Sequence, residues 1–506
     1  MTNNIAECNA LKTLANTVDG IRIEANKLLD EDTRGKKGQF MTPASAAYIL
    51  AGMFRDLDGE LNVLDAGAGV GSLTTALVKR ALTDFQPTCI NANVWELENV
   101  LVENLNRSLV LCQEASTESN VVWNTQVNQV DFIQHAIDII KAREAGEETA
   151  VFNKAILNPP YLKIAAASKE RANLRSVGVE TGNLYSCFVA LALMLLEDGG
   201  EIVAITPRSF CNGPYFNDFR RILLDGNNLS KLHVFESRTR AFKGDKVLQE
   251  NVIYHIVKGE AQGQVEITSS SCADDPHPVV RMAEFNEVVN PGNISRFIHI
   301  VTNDEQAEIA THVGRMSCSL EELGIEASTG KVVDFRTRSN LRHDPEEGTV
   351  PLIYPMHFND CLIEYPVLSK KKPNAIVLND ETVKQMVPNG TYVLTKRLTS
   401  KEETRRIVAG LYTAAIADVE VVGFENKTNY FHADGKPLEM DFAKGLWVYL
   451  NSSLVDQYFR QFNGHTQVNA TDLRTLRYPT REQLIVMGQQ VHQFNQKLFD
   501  ELVEKI

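Results

Sequence analysis

From Leu61 to Lys258 the hydrophobic period of the chain switches back and forth. LNVLDAG reads as a strand, SLTTALVKRALTDF as a helix, CINANVWELE as a strand and NVLVENLNRSLVLCQE as a helix. VVWNTQVNQVDF gives a strand, FIQHAIDIIKAREAG a helix and NKAILN a strand. LYSCFVALALMLLEDGG is a helix ended by glycines, EIVAITP a strand and FNDFRRILLDG a helix. KLHVFES and ENVIYHIVK close the series as strands. Alternating strands and helices joined by short connections can bury their apolar faces in one way. They form a mostly parallel sheet with helices on both faces, an α/β fold, here expected with seven strands.

The flanks read differently. Leu11, Leu14, Ala15, Val18, Ile21, Ile23, Leu28 and Leu29 recur at helical spacing, which predicts leading helices. RGKKGQFMTPAS follows as a loop, and Pro43 with Ser45 opens another helix. GEAQGQVEITSSSCADDPHP is polar and rich in glycine, aspartate and proline, with one possible short strand at Val265 to Thr268. Beyond about residue 300 the period is mixed and basic residues cluster. The expected divisions are a helical segment 1–33, an α/β unit 34–260, a connection 261–300 and a mixed α+β unit 301–506.

The net charge of -14 excludes a uniformly basic coat for nucleic acid. It leaves room for a local basic groove, because phosphate affinity depends on nearby Lys and Arg. Eight cysteines are scattered without a CxxC or zinc spacing, so reduced thiols and no metal are expected. No signal peptide and no run of ~18 apolar residues is evident, which predicts a soluble cytosolic protein without membrane contact.

The first strand-to-helix turn is DAGAGVGS, with Asp65, Gly67, Gly69 and Gly71. Glycines there let the backbone approach a ligand closely, but the pattern fits many nucleotide folds. A phosphate-binding P-loop is disfavoured, since no Gly-Lys-Ser/Thr follows. Glu96 ends the next strand, where a carboxylate can accept hydrogen bonds from ribose hydroxyls or simply open a helix. Asp131 and Phe132 leave the third strand. They offer an adenine amine an acceptor and its ring a face, and equally fit a helix cap and a core phenylalanine.

The fourth strand stops at Asn158-Pro159-Pro160-Tyr161. Coming after the glycine turn, this sequence resembles the amino-methyltransferases that use S-adenosylmethionine, whose targets are exocyclic nitrogens such as adenine N6 in DNA. The resemblance implies a Rossmann-like class I methyltransferase fold. It implies that Asn158 and the Pro159 carbonyl accept from the target amine, that Pro159 and Pro160 stiffen the turn, and that Tyr161 stacks on a base extruded from the duplex. GKKGQFMTPAS before the glycine turn resembles the segment cradling the methionine end of the cofactor, with Thr42 as a contact. That order, with a long C-terminal region, resembles the γ class typified by the TaqI adenine methyltransferase. The chain's size resembles the stand-alone PstI-like modification methylases of type II restriction-modification systems. Phe216 matches the second base-stacking aromatic, with Tyr215 as its rival and ordinary helix packing as the alternative. Many relatives carry a shorter D-P-x-x-G-x-G turn; here Asp65 keeps the first acidic position.

What the resemblance implies for partners is duplex DNA, a cognate restriction endonuclease, and a monomer or homodimer in the bacterial cytoplasm at the nucleoid. Lys163, Lys169 and Arg171 follow the catalytic turn in a segment, 162–183, expected to close over the flipped base and nearby phosphates. Arg336, Arg338, Lys396 and Arg397 lie in basic clusters of the C-terminal half, and Asn463, Gln467 and Asn469 lie in NGHTQVNATDL. All are expected DNA contacts. The same turn would also serve cytosine N4, an RNA base or a protein amide, and a non-catalytic DNA-binding subunit is a reading from another class.

Overall fold

The computed structural model describes residues 9–29, 40–235, 250–359, 361–368, 372–399, 403–464 and 466–506; the RGKKGQ stretch falls outside them. The chain forms two compact units, dividing between Thr302 and Asn303.

The first unit opens with helices α1 (Asn9–Leu28) and α2 (Ala44–Gly52). Strands β1 (Gly59–Ala66), β2 (Pro87–Trp95), β3 (Val122–Asn128), β4 (Phe152–Leu157) and β5 (Leu196–Pro207) then alternate with helices. These are α3 (Ser72–Asp84), α4 (Asn99–Glu118), α5 (Phe132–Glu144), the short α6 (Lys169–Arg175) and α7 (Leu184–Leu195). Helix α8 (Asn217–Leu224) precedes β6 (Asn227–Phe235), followed by β7 (Asn251–Lys258), β8 (Gln264–Ser270) and β9 (Val279–Glu284). The sheet order is β3-β2-β1-β4-β5-β7-β6-β8-β9. Strands β1 to β5 run parallel, and β7 inserts antiparallel between β5 and β6.

Side chains alternate between two cores, as a sheet covered on both faces requires. Leu64, Ala155, Leu157, Ile202 and Ala204 face α5, α7 and α8. Leu61, Val63, Ile156, Val203 and Ile205 face α1, α2, α3 and the C-terminal part of α4. The α/β expectation therefore holds, but the strand count of seven does not. The segment 261–300, expected as a connection, adds β8 parallel to β6 and β9 antiparallel to β8. Its apolar content is thin, yet Val265 and Ile267 alternate with polar residues and are fully buried. They cover what would otherwise be the open edge of β6.

At the lower ends of β4, β5 and β7 lies a buried ionic network. Lys154 Nζ is 2.5 Å from Glu201 Oε1, and Glu201 Oε2 is 2.7 Å from His255 Nε2. His255 Nδ1 meets Ser230 Oγ at 2.5 Å. The Ser-His-Glu order imitates a hydrolase triad, but His255 is wholly buried and Ser230 is 5% exposed, so this cluster braces the sheet.

The second unit is mixed α+β. A six-stranded sheet and a five-stranded sheet are built from short, largely antiparallel strands between Glu326 and His432. Helices Met440–Leu450, Ser453–Phe462, Ala470–Arg474, Arg481–Gln489 and Gln496–Glu504 follow. No helix among the described residues is long and apolar enough to cross a membrane.

Candidate active site

The sheet order reverses at β1, whose neighbours are β2 and β4. At such a switch point the connections leave in opposite directions and open a crevice above the strand ends. A cavity of about 390 Å³ lies there, and its walls come from the turns that follow β1, β2, β3 and β4.

The glycine turn forms one wall through Gly67 and Gly69, with φ of 77° and 58°. Gly71, at φ 84°, lies behind the wall, and a Cβ on it would come within 2.9 Å of Leu105. It lets α3 pack on α4 and does not line the cavity. Asp65 also departs from expectation. It is fully buried beneath the turn, with Oδ2 accepting from Thr74 Oγ1 at 2.7 Å. Burial pushes its carboxyl up to about 7. The side chain of a residue within β1 points into the sheet's core, so Asp65 ties β1 to α3 and does not reach the cavity.

Glu96 does line the cavity. Its Oε1 accepts from the backbone of Leu97 and Glu98 at 2.8 and 2.9 Å, and Oε2 accepts from Gly69 at 2.9 Å. Burial raises its pKa while these three backbone donors oppose the rise. Oε2 keeps lone-pair capacity for a ligand hydroxyl. Asp131 caps α5, with Oδ1 accepting from Gln134 N at 3.0 Å. Phe132 is buried and lies 5.0 Å from Phe188. The helix-cap and core readings of this pair hold, and both residues also line the cavity. Phe188, Leu184 and Leu162 complete an apolar side that sequence reasoning missed. The available signal was position: Leu184 and Phe188 are one turn apart at the start of the helix that follows segment 162–183. Ser72 Oγ, buried in the wall, meets no partner among the described residues.

The turn after β4 closes the cavity with Asn158 and Pro160, while Pro159 is buried behind them. Asn158 Nδ2 donates to the Phe40 carbonyl at 2.9 Å and to Thr42 Oγ1 at 2.8 Å. A carbonyl can only accept, so this bond fixes the orientation of the amide. Oδ1 therefore faces the other way, where it accepts from Tyr161 Oη at 2.9 Å. Burial raises the Tyr161 phenol pKa, so its hydroxyl stays protonated and donates. The Tyr161 ring lies 5.9 Å from Phe40 and 6.2 Å, edge-on, from Tyr185. Tyr185 in turn stacks on Phe216 at 5.5 Å and 25°. Phe216 thus belongs to the aromatic group beside the Asn-Pro-Pro-Tyr turn, whereas its rival Tyr215 is 83% exposed. Tyr185 carries no sequence signal beyond being a helix-face aromatic.

The segment 162–183 is pinched at its base. Leu184 N donates to Leu162 O, and Ile164 N to Gly182 O, both at 2.8 Å. Leu174, Val177 and Val179 anchor it in the core. Lys163 and Lys169 are exposed. Arg171 is already paired, with its guanidinium 2.5 Å from Glu180, which Arg175 also holds.

In the second unit, Arg336, Arg338 and Gln467 are exposed. The Lys396 ammonium lies over the Phe358 ring at 5.7 Å, and Arg397 Nη1 donates to Asn426 O at 3.1 Å. Asn463 departs from expectation. Asn463 is buried, accepting from Arg406 and donating to Gln467 O at 3.2 Å. Asn469 caps the helix Ala470–Arg474 in a reciprocal box with Asp472. The Asn463 amide is consumed in shaping the loop and is not presented to a base edge, whereas Asn469 is half-buried.

A doubly wound sheet with a glycine turn and an Asn-Pro-Pro-Tyr turn on adjacent strand ends is that of a Rossmann-like class I methyltransferase. Residues 76–242 match the Eco57I restriction-modification methylase family. The chain is 53% identical over 491 residues to the type II methyltransferase M.PstI of Providencia stuartii, covering 96% of each chain. It is 47% identical over 480 residues to the type II methyltransferase M.BsuBI of Bacillus subtilis, covering 94% of this chain and 93% of that one. The protein belongs to the type II restriction-modification methyltransferases. Its fold is also similar to that of the type IIL restriction-modification enzyme MmeI, solved in complex with DNA. That match has a TM-score of 0.54 at 12% identity, over 98% of this chain and 75% of that one.

Proposed function

We propose that the protein transfers a methyl group from S-adenosylmethionine to adenine N6 in a short duplex DNA site, protecting it from a cognate restriction endonuclease. The observation that carries this reading is the Asn158 amide. Its nitrogen is committed to Phe40 and Thr42, which leaves its oxygen as a fixed acceptor beside the cavity.

The residues fit the cofactor. Glu96 would take the ribose hydroxyls, Phe132 and Phe188 would flank the adenine, Asp131 would meet its amine, and Ser72 Oγ has no partner among the described residues. Thr42 and the glycine turn would hold the methionine end. When bound, S-adenosylmethionine supplies an electrophilic methyl group on a sulfonium, and the protein's own residues prepare the acceptor.

An adenine amine is a poor nucleophile because its lone pair is delocalised into the ring. Asn158 Oδ1 and the Pro159 carbonyl accept its two hydrogens, hold the nitrogen toward pyramidal geometry and stabilise the positive charge that grows there. Neither acceptor is basic, so the site holds the amine without first deprotonating it. The Tyr161 hydroxyl now occupies Oδ1, and the incoming amine takes its place. That exchange frees the Tyr161 ring to stack on the extruded base, with Phe216 in the same aromatic group. Lys163, Lys169, Lys396 and Gln467 contribute DNA contacts. Tritiated methyl transfer to duplex DNA tests the reading; unlabelled DNA with cofactor-bound protein contradicts it.

A further inference from the structure

The second unit carries many arginines, and the structure sorts them. Arg342 is paired with Glu346, Arg460 with Asp456, Arg477 with Glu322 and Arg481 with Glu439. Arg406 is 1% exposed and bonded within the loop it supports. Arg336 and Arg338 are exposed and have no ion pair with any described residue. They sit on two consecutive 3₁₀ turns, Asp334–Arg336 and Arg338–Asn340.

This tip is held from several directions. Thr337, between the two arginines, is buried, and its Oγ1 donates to Val333 O at 3.1 Å. Val332 N donates to Phe424 O, and Asn426 N to Val332 O. Gly330 allows that approach, since a Cβ there would lie 2.3 Å from Glu425 O. On the other flank Arg342 Nη1 donates to Ser339 O and Asn379 Nδ2 to Asn340 Oδ1, both at 2.9 Å.

The one carboxylate on the tip does not neutralise the arginines. Asp334 Oδ2 is 2.6 Å from Lys372 Nζ and 3.8 Å from Lys427 Nζ, and Lys427 also reaches Glu425 at 3.5 Å. Two lysines and two carboxylates balance each other below the tip. Phe335 is 61% exposed, and the Arg336 guanidinium lies over its ring at 5.5 Å. The ring narrows the directions the guanidinium can take. An exposed phenylalanine next to a stiffly mounted pair of arginines that form no ion pair with any described residue costs solvation and serves no core.

We propose that the tip 334–340 is a sequence-reading element, in which Arg336 and Arg338 contact base edges in duplex DNA. This rests on the DNA reading above and names the residues that would set the site. The guanidinium fork matches the O6 and N7 acceptors of guanine in the major groove, whereas a lysine ammonium cannot make that paired contact. A preset backbone is what such a contact needs, because a loose loop spends its interaction energy on ordering. Phosphate contacts need neither the fork nor the stiff mount.

The test uses the full-length protein and its Arg336→Lys, Arg338→Lys and Arg338→Gln variants. Each methylates the same genomic DNA, and modified bases are mapped by single-molecule sequencing. The expected result is a defined motif for the unsubstituted protein. Each arginine variant should lose discrimination at one base pair of it by about tenfold to a hundredfold, with lysine failing like glutamine. An unchanged motif in every variant, with activity merely lowered and restored by lysine, marks phosphate contacts and overturns the tip assignment alone. Genomic DNA left unmethylated by the unsubstituted protein overturns the DNA reading and this assignment with it.

Discussion

Asn158 draws its importance from what binds its nitrogen. Asn158→Ala removes the oriented acceptor, and kcat is expected to fall about 10²- to 10³-fold, the scale for losing one oriented transition-state hydrogen bond. The affinity for cofactor, measured by calorimetry, should change little. Tyr161 separates into hydroxyl and ring. Tyr161→Phe frees Asn158 Oδ1 and should stay within a few-fold of the unsubstituted rate. Tyr161→Ala loses base stacking worth about 1–3 kcal/mol, read as weaker fluorescence of a 2-aminopurine placed at the target position. Single residues were legible in the sequence where a motif fixes the backbone, as for Gly67, Gly69, Asn158 and Pro160, which all reach the cavity wall. They were not legible where the direction of a side chain is decided by packing. Asp65 turns into the core, Arg171 turns to Glu180, and Asn463 turns to Arg406.

Among elements, the parallel sheet could be read because each buried strand is a run of apolar residues between turn signals. Strand β8 showed only as a possible short strand, because one of its faces alone is apolar, and β9 could not be read because it is largely exposed. The joints between elements carry titratable groups with opposite pH behaviour. Burial holds the Asp65 carboxyl up to about 7. The stability linked to its neutral form is therefore full below the ordinary carboxylate range and lost as pH rises toward 7. Asp65→Asn should escape that loss, so its melting temperature relative to the unsubstituted protein rises between pH 5 and 8. Glu201 runs the other way. Burial alone would raise its pKa, but the His255 hydrogen bond and the Lys154 charge hold it down to about 2. Its contribution is present above the ordinary carboxylate range and is lost as pH falls toward 2. Glu201→Ala leaves the Lys154 ammonium buried and unpaired, and should cost about 3–5 kcal/mol in chemical denaturation.

For the whole molecule, two units with different sheets correspond to the two kinds of sequence pattern. Strand-helix alternation forecast the first unit well. The second has short strands, mixed period and paired charges, and the sequence forecast little beyond its α+β class. Because the cofactor binds the folded first unit and not the unfolded chain, S-adenosylmethionine at about 100 times its Kd adds about 2.7 kcal/mol, seen as a rise in melting temperature that Glu96→Ala should abolish. The central claim concerns the chemistry at the seat made by Asn158. Incubation of the protein with duplex DNA and methyl-labelled S-adenosylmethionine, followed by mass spectrometry of the released nucleosides, tests it most directly. The account predicts label in N6-methyladenine, and almost none with Asn158→Ala. Label in N4-methylcytosine, or equal labelling by the Asn158→Ala variant, would contradict it.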